Sequence, residues 1–288
     1  MTPLPHALTF AAGAVYSPRW RVAALVTARL ARRGILSYLK RKVLAIQDGT
    51  YLLVNATRAL FTPPRYYVDT LMQLDVIGVA SLPIVLLVGF FTGAVLALQS
   101  YRSLERFGEV SILGQMVGLS VVLELGPVLT AVVMAGRNSS GMASELGSML
   151  VSEQVDALRA MGTDPLRKLV APRLYATVIM LPLLTILADF VALVGGYFIA
   201  LTIAHLTTSQ YWSSFYQNID YHDITQGLVK PVIFALVVAL VGCYFGLHTT
   251  GGTEGVGRST TQAVVVSIVL VIVLDFLITQ FLIGIGFA

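Results

Sequence analysis

The chain has 288 residues, of which 56% are hydrophobic and 12% charged, and its mean hydropathy is +0.81. An ordinary soluble domain carries about 25% charged residues, so this composition excludes a water-soluble globule. The net charge of +4 reads here as a membrane-topology signal before it reads as affinity for nucleic acid, which is not expected as a partner. One cysteine, Cys243, excludes an intramolecular disulfide, and His6, His205, His222 and His248 lack metal-ligand spacing.

The first 70 residues read as a basic cytoplasmic tail with interfacial elbow helices. Over 19–42, Val22, Leu25, Val26, Leu30, Ile35, Leu36 and Leu39 recur at roughly helical spacing among basic residues. That is the pattern of a helix lying against anionic lipid. A second segment, 51–60, ends at the Thr62-Pro63-Pro64 break. No short apolar stretch with a small-residue cleavage site comes before these, which reads against a cleaved signal peptide.

Residues 71–288 form the membrane domain. A helix needs about 20 mainly apolar residues to cross the roughly 30 Å hydrocarbon core, and runs of that length occur at 76–100, 111–135, 174–204, 228–247 and 263–287. The fold class is therefore all-α integral membrane protein, with an N-terminal interfacial amphipathic helix and five transmembrane helices. Sixteen of the nineteen Lys and Arg fall in residues 1–75, in 136–173 or at Arg258, against Arg102, Arg106 and Lys230 on the opposite side. The positive-inside rule then places the N-terminus in the cytoplasm, and an odd number of spans places the C-terminus outside.

Three carboxylates fall near mid-span: Glu124, Asp189 and Asp275. An ionisable group there costs at least about 2.5 kcal/mol, so each should face protein or a water-filled cavity. They read either as a polar pathway or proton relay, or as acids that tie helices together. Gly126-Pro127 follows Glu124 directly and predicts a kinked second span with its acid turned inward. The pairs Gly89 and Gly93, Gly114 and Gly118, and Gly242 and Gly246 permit close helix approach, within or between subunits. The stretch 252–259 has phosphate-loop spacing, but no buried strand precedes it, so nucleotide binding is not expected there.

Between the second and third spans, Val151, Val155, Leu158 and Met161 follow helical 3-4 spacing among Glu153, Asp156 and Arg159. The segment breaks at Gly162-Thr163-Asp164-Pro165 and continues to Pro172. It reads as a short amphipathic cytoplasmic helix, either a plain connector or a coupling helix seated on a separate ATPase. Asp156-Ala157-Leu158 with Gly162 loosely resembles the Glu-Ala-Ala…Gly signature of ABC importer permeases.

A more specific resemblance runs from about Asp69 to the C-terminus. Glu124-Leu125-Gly126-Pro127-Val128, Ala135-Gly136-Arg137, Ala143-Ser144-Glu145-Leu146-Gly147, Glu153-Gln154-Val155-Asp156-Ala157-Leu158, Asp164-Pro165-Leu166 and Ala171-Pro172-Arg173 occur in order. Gly242-Cys243-Tyr244, Gly251-Gly252 and Gly255-Val256-Gly257 follow them. Together these resemble the MlaE/YrbE-type permeases of MCE-associated ABC transporters.

The resemblance implies a homodimeric permease of the bacterial inner membrane that moves phospholipid or a related hydrophobic lipid between that membrane and the outer envelope. It implies two cytoplasmic ABC ATPase subunits, which would hold the ATP and Mg while this chain binds no cofactor and catalyses no reaction. It also implies a hexameric ring of MCE-domain protein outside. Glu153, Gln154, Asp156, Leu158, Arg159, Asp164 and Pro165 would couple to the ATPase. Glu124, Gly126, Pro127, Arg137 and Glu145 would belong to the transport pathway or its kink, and Phe91, Leu98, Gln99 and Tyr101 would line a lipid cavity. Independently, the first, fourth and fifth spans read as almost wholly apolar apart from Asp275, which suits acyl chains. The competing reading is a proton-coupled secondary transporter or channel that uses the mid-span carboxylates.

Overall fold

A computed structural model describes residues 66–284, together with Gln47, residues 49–52, Val54 and Arg58. The interfacial helix expected over 19–42 and the last residues of the fifth expected span lie outside the described residues. Contacts divide the chain into a unit over residues 1–50 and a unit over 51–288, and all five spans belong to the second. Among the described residues every regular element is helical, and five helices are long and apolar enough to cross a membrane.

The first span runs Tyr67–Phe107 as α1 (Tyr67–Ile77), one 3-10 turn and α2 (Leu82–Phe107). Pro83 sits in the first turn of α2, where its missing N–H costs nothing. Gly108, at φ 76°, closes the helix in the left-handed conformation that glycine adopts freely. The second span, Val110–Val151, joins α3 (Leu113–Ser120), α4 (Gly126–Met134) and α5 (Ser140–Val151) through π-helical turns at Val121–Leu125 and Ala135–Ser139.

A short helix, α6 (Gln154–Ala160), follows, and a π-turn at Leu166–Val170 leads into α7 (Ala171–Thr202). Then come α8 (Thr208–Tyr216), α9 (Tyr221–Leu247) and α10 (Gly252–Gly284). The second helix continues well past the expected boundary at Ala135, because its polar run Arg137-Asn138-Ser139 is absorbed by a π-turn instead of ending the helix. Residues 252–259, the phosphate-loop look-alike, are the opening turns of α10.

All three glycine pairs pack inside this chain. A Cβ on Gly89 or Gly93 would strike the backbone of Ala188 or Ala192 on α7, one on Gly114 the Tyr211 backbone, and one on Gly118 the Phe215 ring. Gly242 and Gly246 lie against Ser139, Met142, Ala143 and Leu146. The absent side chains let helix backbones approach closely where hydrophobic transfer supplies no force between helices. Among the described residues two clusters fill the interior. The larger includes Met134, Leu146, Leu174, Leu181, Phe234 and Val238, and the smaller joins Ala97, Leu113, Val117, Val121 and Tyr211.

The α8 helix was not expected, although its signal is local: Thr207 and Gln210 form a capping box. It brings Tyr211, Trp212, Phe215 and Tyr216 against Tyr197. The Tyr211 hydroxyl donates to the Leu193 carbonyl at 3.1 Å, and burial raises the pKa of this phenol. Such a group marks one end of the bundle as an aromatic interface, and α6 marks the other end.

Candidate functional site

Pro127 has no N–H to give the Leu123 carbonyl four residues back. Lys230, from α9, supplies the missing donor: its Nζ lies 2.9 Å from Leu123 O. The same ammonium is 2.8 Å from Glu124 Oε2 and 3.3 Å from Asp275 Oδ1, and the Thr279 hydroxyl donates to Glu124 Oε1 at 3.1 Å. The Lys230 side chain is 0% exposed, whereas Glu124 keeps 40% exposure. Three spans therefore meet on one buried cation, and two carboxylates face a single ammonium.

The kink expected at Gly126-Pro127 is a π-turn, in which the Gly126 N–H reaches back five residues to Val121 O. Such turns concentrate at functional sites. The placement of Lys230 corrects two expectations. It is not an outside-loop topology marker, and the fourth span is not wholly apolar. A lone Lys in the first turns of an apolar run looks like a flank by hydropathy. Its signal was two mid-span acids lacking a counter-ion, beside Lys-Pro inside the expected span 228–247.

Asp189 stands apart from this cluster. Its Oδ1 is buried without a hydrogen-bond partner and occupies the space that a Cβ on Gly126 would need. Against Gly126 and Ala188 lies a small pocket of about 20 Å³, roughly one water in size, walled also by Val85, Gly89, Thr92 and Val121.

An open groove of about 340 Å³ runs along the seam of the first two spans, lined by Phe91, Thr92, Val95, Leu96, Gln99 and Leu125. Leu125 is the neighbour of Glu124. Of the four residues offered for a cavity wall, Phe91 and Gln99 are among those lining this groove, and Leu98 and Tyr101 are not. Tyr101 packs with the smaller core cluster and donates to Glu105 at 2.9 Å. A second open cleft, of about 480 Å³, lies further along the same seam and includes Arg137.

At the α6 end, Glu145 forms a 2.8 Å ion pair with Arg173, whose side chain is 5% exposed. Sequence reasoning missed this buried arginine. Glu153 turns the chain at φ 60°, a left-handed conformation costing roughly 1 kcal/mol without glycine. The turn lays α6 across the end of the bundle. Val155 is buried and Leu158 packs on the main core, while Glu153, Gln154, Asp156 and Arg159 are exposed. Leu158 and the buried Pro165 thus hold the segment to the body and leave the charged face free. Asp164 acts locally: its Oδ1 accepts the Leu166 N–H at 3.0 Å. Lys168 pairs with Asp69 at 2.9 Å and lies over the Tyr66 ring, joining this segment to α1.

The sequence model of the family described as Permease MlaE matches residues 70–281. The chain belongs to the MlaE permease family. The permease is 40% identical over 79% of its length to a probable ABC transporter permease protein of Rickettsia typhi, covering 88% of that protein. It is 39% identical to the intermembrane phospholipid transport system permease protein MlaE of Haemophilus influenzae, over 74% of this chain and 82% of that one. It is 36% identical to the chloroplastic protein TRIGALACTOSYLDIACYLGLYCEROL 1 of Arabidopsis thaliana, over 74% of this chain and 61% of that one. The matched region takes in every residue of the Lys230 cluster, the groove and α6.

Proposed function

We propose that this chain is the transmembrane subunit of an ATP-driven ABC transporter that moves phospholipid between the inner membrane and the outer envelope. The observation that carries the reading is α6. It is anchored by Val155 and Leu158, yet it offers Glu153, Gln154, Asp156 and Arg159 to a partner. Its position between the second and third spans lets a push from an ATPase rock both. The names of the Rickettsia and Haemophilus relatives support the ABC and phospholipid parts of the reading. The groove from Phe91 to Gln99 supplies apolar walls for acyl chains.

With Lys230 removed from the topology count, sixteen basic residues on one side stand against Arg102 and Arg106 on the other. This supports a cytoplasmic N-terminus and α6 end, and a periplasmic C-terminus and aromatic end. The assembly is a homodimer with two ATPase subunits, which hold ATP and Mg, and a ring of MCE-domain protein outside. Reversing charge with Asp156→Arg is expected to reduce copurification of the ATPase. Unchanged assembly together with unchanged ATP turnover would overturn the assignment of α6.

One observation favours a second reading, a proton-coupled carrier: two mid-span carboxylates, Glu124 and Asp275, gathered on the buried Lys230 are the kind of group a relay uses. Glu124→Gln decides between the two. Loss of pH-gradient-driven transport supports the relay, and retained ATP-driven lipid movement supports the ABC reading.

A further inference from the structure

We propose that the cleft at Arg137 is a docking site for a phospholipid of the cytoplasmic leaflet, with the guanidinium on the phosphate and an acyl chain on the apolar wall. This rests on the lipid-permease reading and adds to it a second site, at the opposite end of the seam from the Phe91–Gln99 groove.

The first argument is charge. At this end of the bundle Arg159, Arg167, Lys168, Arg173 and Arg258 each have a carboxylate within 4.0 Å. Arg137 is exposed, and among the described residues no carboxylate lies within that distance of it. A guanidinium forms paired, charge-assisted hydrogen bonds with phosphate oxygens, so this unmatched cation complements an anionic headgroup.

Depth is the second argument. Arg137 lies thirteen residues beyond Glu124 on the same helix, about 20 Å at 1.5 Å per residue. The hydrocarbon core extends about 15 Å from the midplane and the headgroup zone to roughly 20–22 Å. With Glu124 near mid-depth, Arg137 stands at the level of the phosphates.

The third argument is the wall. The cleft, about 480 Å³, is faced by Ala80, Pro83, Ile84, Val132 and Val133, and a Cβ on Gly136 would meet nothing within 4 Å. The surface beside the guanidinium is thus open backbone and aliphatic side chains. Ser140 is not part of the site, because its hydroxyl is engaged with the Gly136 and Arg137 carbonyls. From this cleft the seam continues past Val133, Val85 and Gly89 to Thr92 and the groove, so a lipid held at Arg137 already lies on the groove's own line.

The test uses the full permease with its ATPase in nanodiscs of phosphatidylcholine doped with phosphatidylglycerol carrying a photoreactive acyl chain. Attachment sites are read by peptide mass spectrometry. Cross-links are expected on the peptides bearing Ile84 and Val132–Val133 as well as on the groove peptide bearing Phe91. Arg137→Gln is expected to lower the cleft cross-links about tenfold and leave the groove cross-links in place, and Arg137→Lys to retain most of both. Retained groove cross-links show that the variant is folded.

Cleft cross-links undiminished in Arg137→Gln would overturn the proposal. Groove cross-links without cleft cross-links in the wild type would overturn this proposal alone. Absence of both would overturn the lipid-permease reading beneath it.

Discussion

Lys230 holds its ammonium 2.8 Å from the Glu124 carboxylate, wholly shielded from solvent, and also serves the backbone carbonyl that Pro127 leaves free. Removing one member of a buried ion pair costs about 3–5 kcal/mol, because the remaining charge is left uncompensated. Lys230→Met is therefore expected to lower the melting temperature markedly, leaving Glu124 and Asp275 without their shared counter-ion. Adding Glu124→Gln and Asp275→Asn to Lys230→Met should recover much of the loss. Thermal unfolding in detergent checks this, and a triple variant less stable than Lys230→Met would contradict it.

Gly126 and Asp189 form a second coupled pair, since the Asp189 carboxylate fills the place of a Cβ at 126. Gly126→Ala alone is expected to destabilise by the 1–3 kcal/mol typical of overpacking. Combined with Asp189→Ala, much of that cost should disappear, giving an interaction energy above about 0.5 kcal/mol in a double-mutant cycle. Additive effects would mean that the two helices separate freely at this point.

Two ion pairs at the α6 end are expected to behave differently. Lys168 and Asp69 keep 36% and 33% exposure, so Lys168→Gln should change stability by less than about 1 kcal/mol. Arg173 is 5% exposed, so Glu145→Ala strands a buried guanidinium and should cost clearly more. Equal melting-temperature shifts in the two variants would contradict this contrast.

The five spans were legible because lipid imposes a length and an apolar composition that a run of residues shows directly. Glu124 and Asp275 were legible as mid-span charges for the same reason. Their counter-ion was not, because Lys230 sits near a span end, where a cation usually marks the flank. The π-turns at Val121–Leu125 and Ala135–Ser139 leave no periodic signature, so the second helix ran longer than its hydropathy. The groove draws Phe91 and Gln99 from α2 with Leu125 from the second span. That pairing depends on how the two spans sit together, and helical phase does not supply it, since Leu98 falls only about 20° from Phe91. The glycine pairs announced close packing but not the partner helix, which depends on the tertiary arrangement of α7, α8 and α9.

The central claim, that this permease moves phospholipid with energy from a separate ATPase, is tested most directly in proteoliposomes. The chain and its ATPase are reconstituted with fluorescent phospholipid, and transfer to an external MCE-domain acceptor is measured with ATP or with an imposed pH gradient. The account predicts transfer that requires the ATPase and ATP, and that is lost when Asp156→Arg uncouples α6. Transfer driven by the pH gradient without ATP, and abolished by Glu124→Gln, would contradict it.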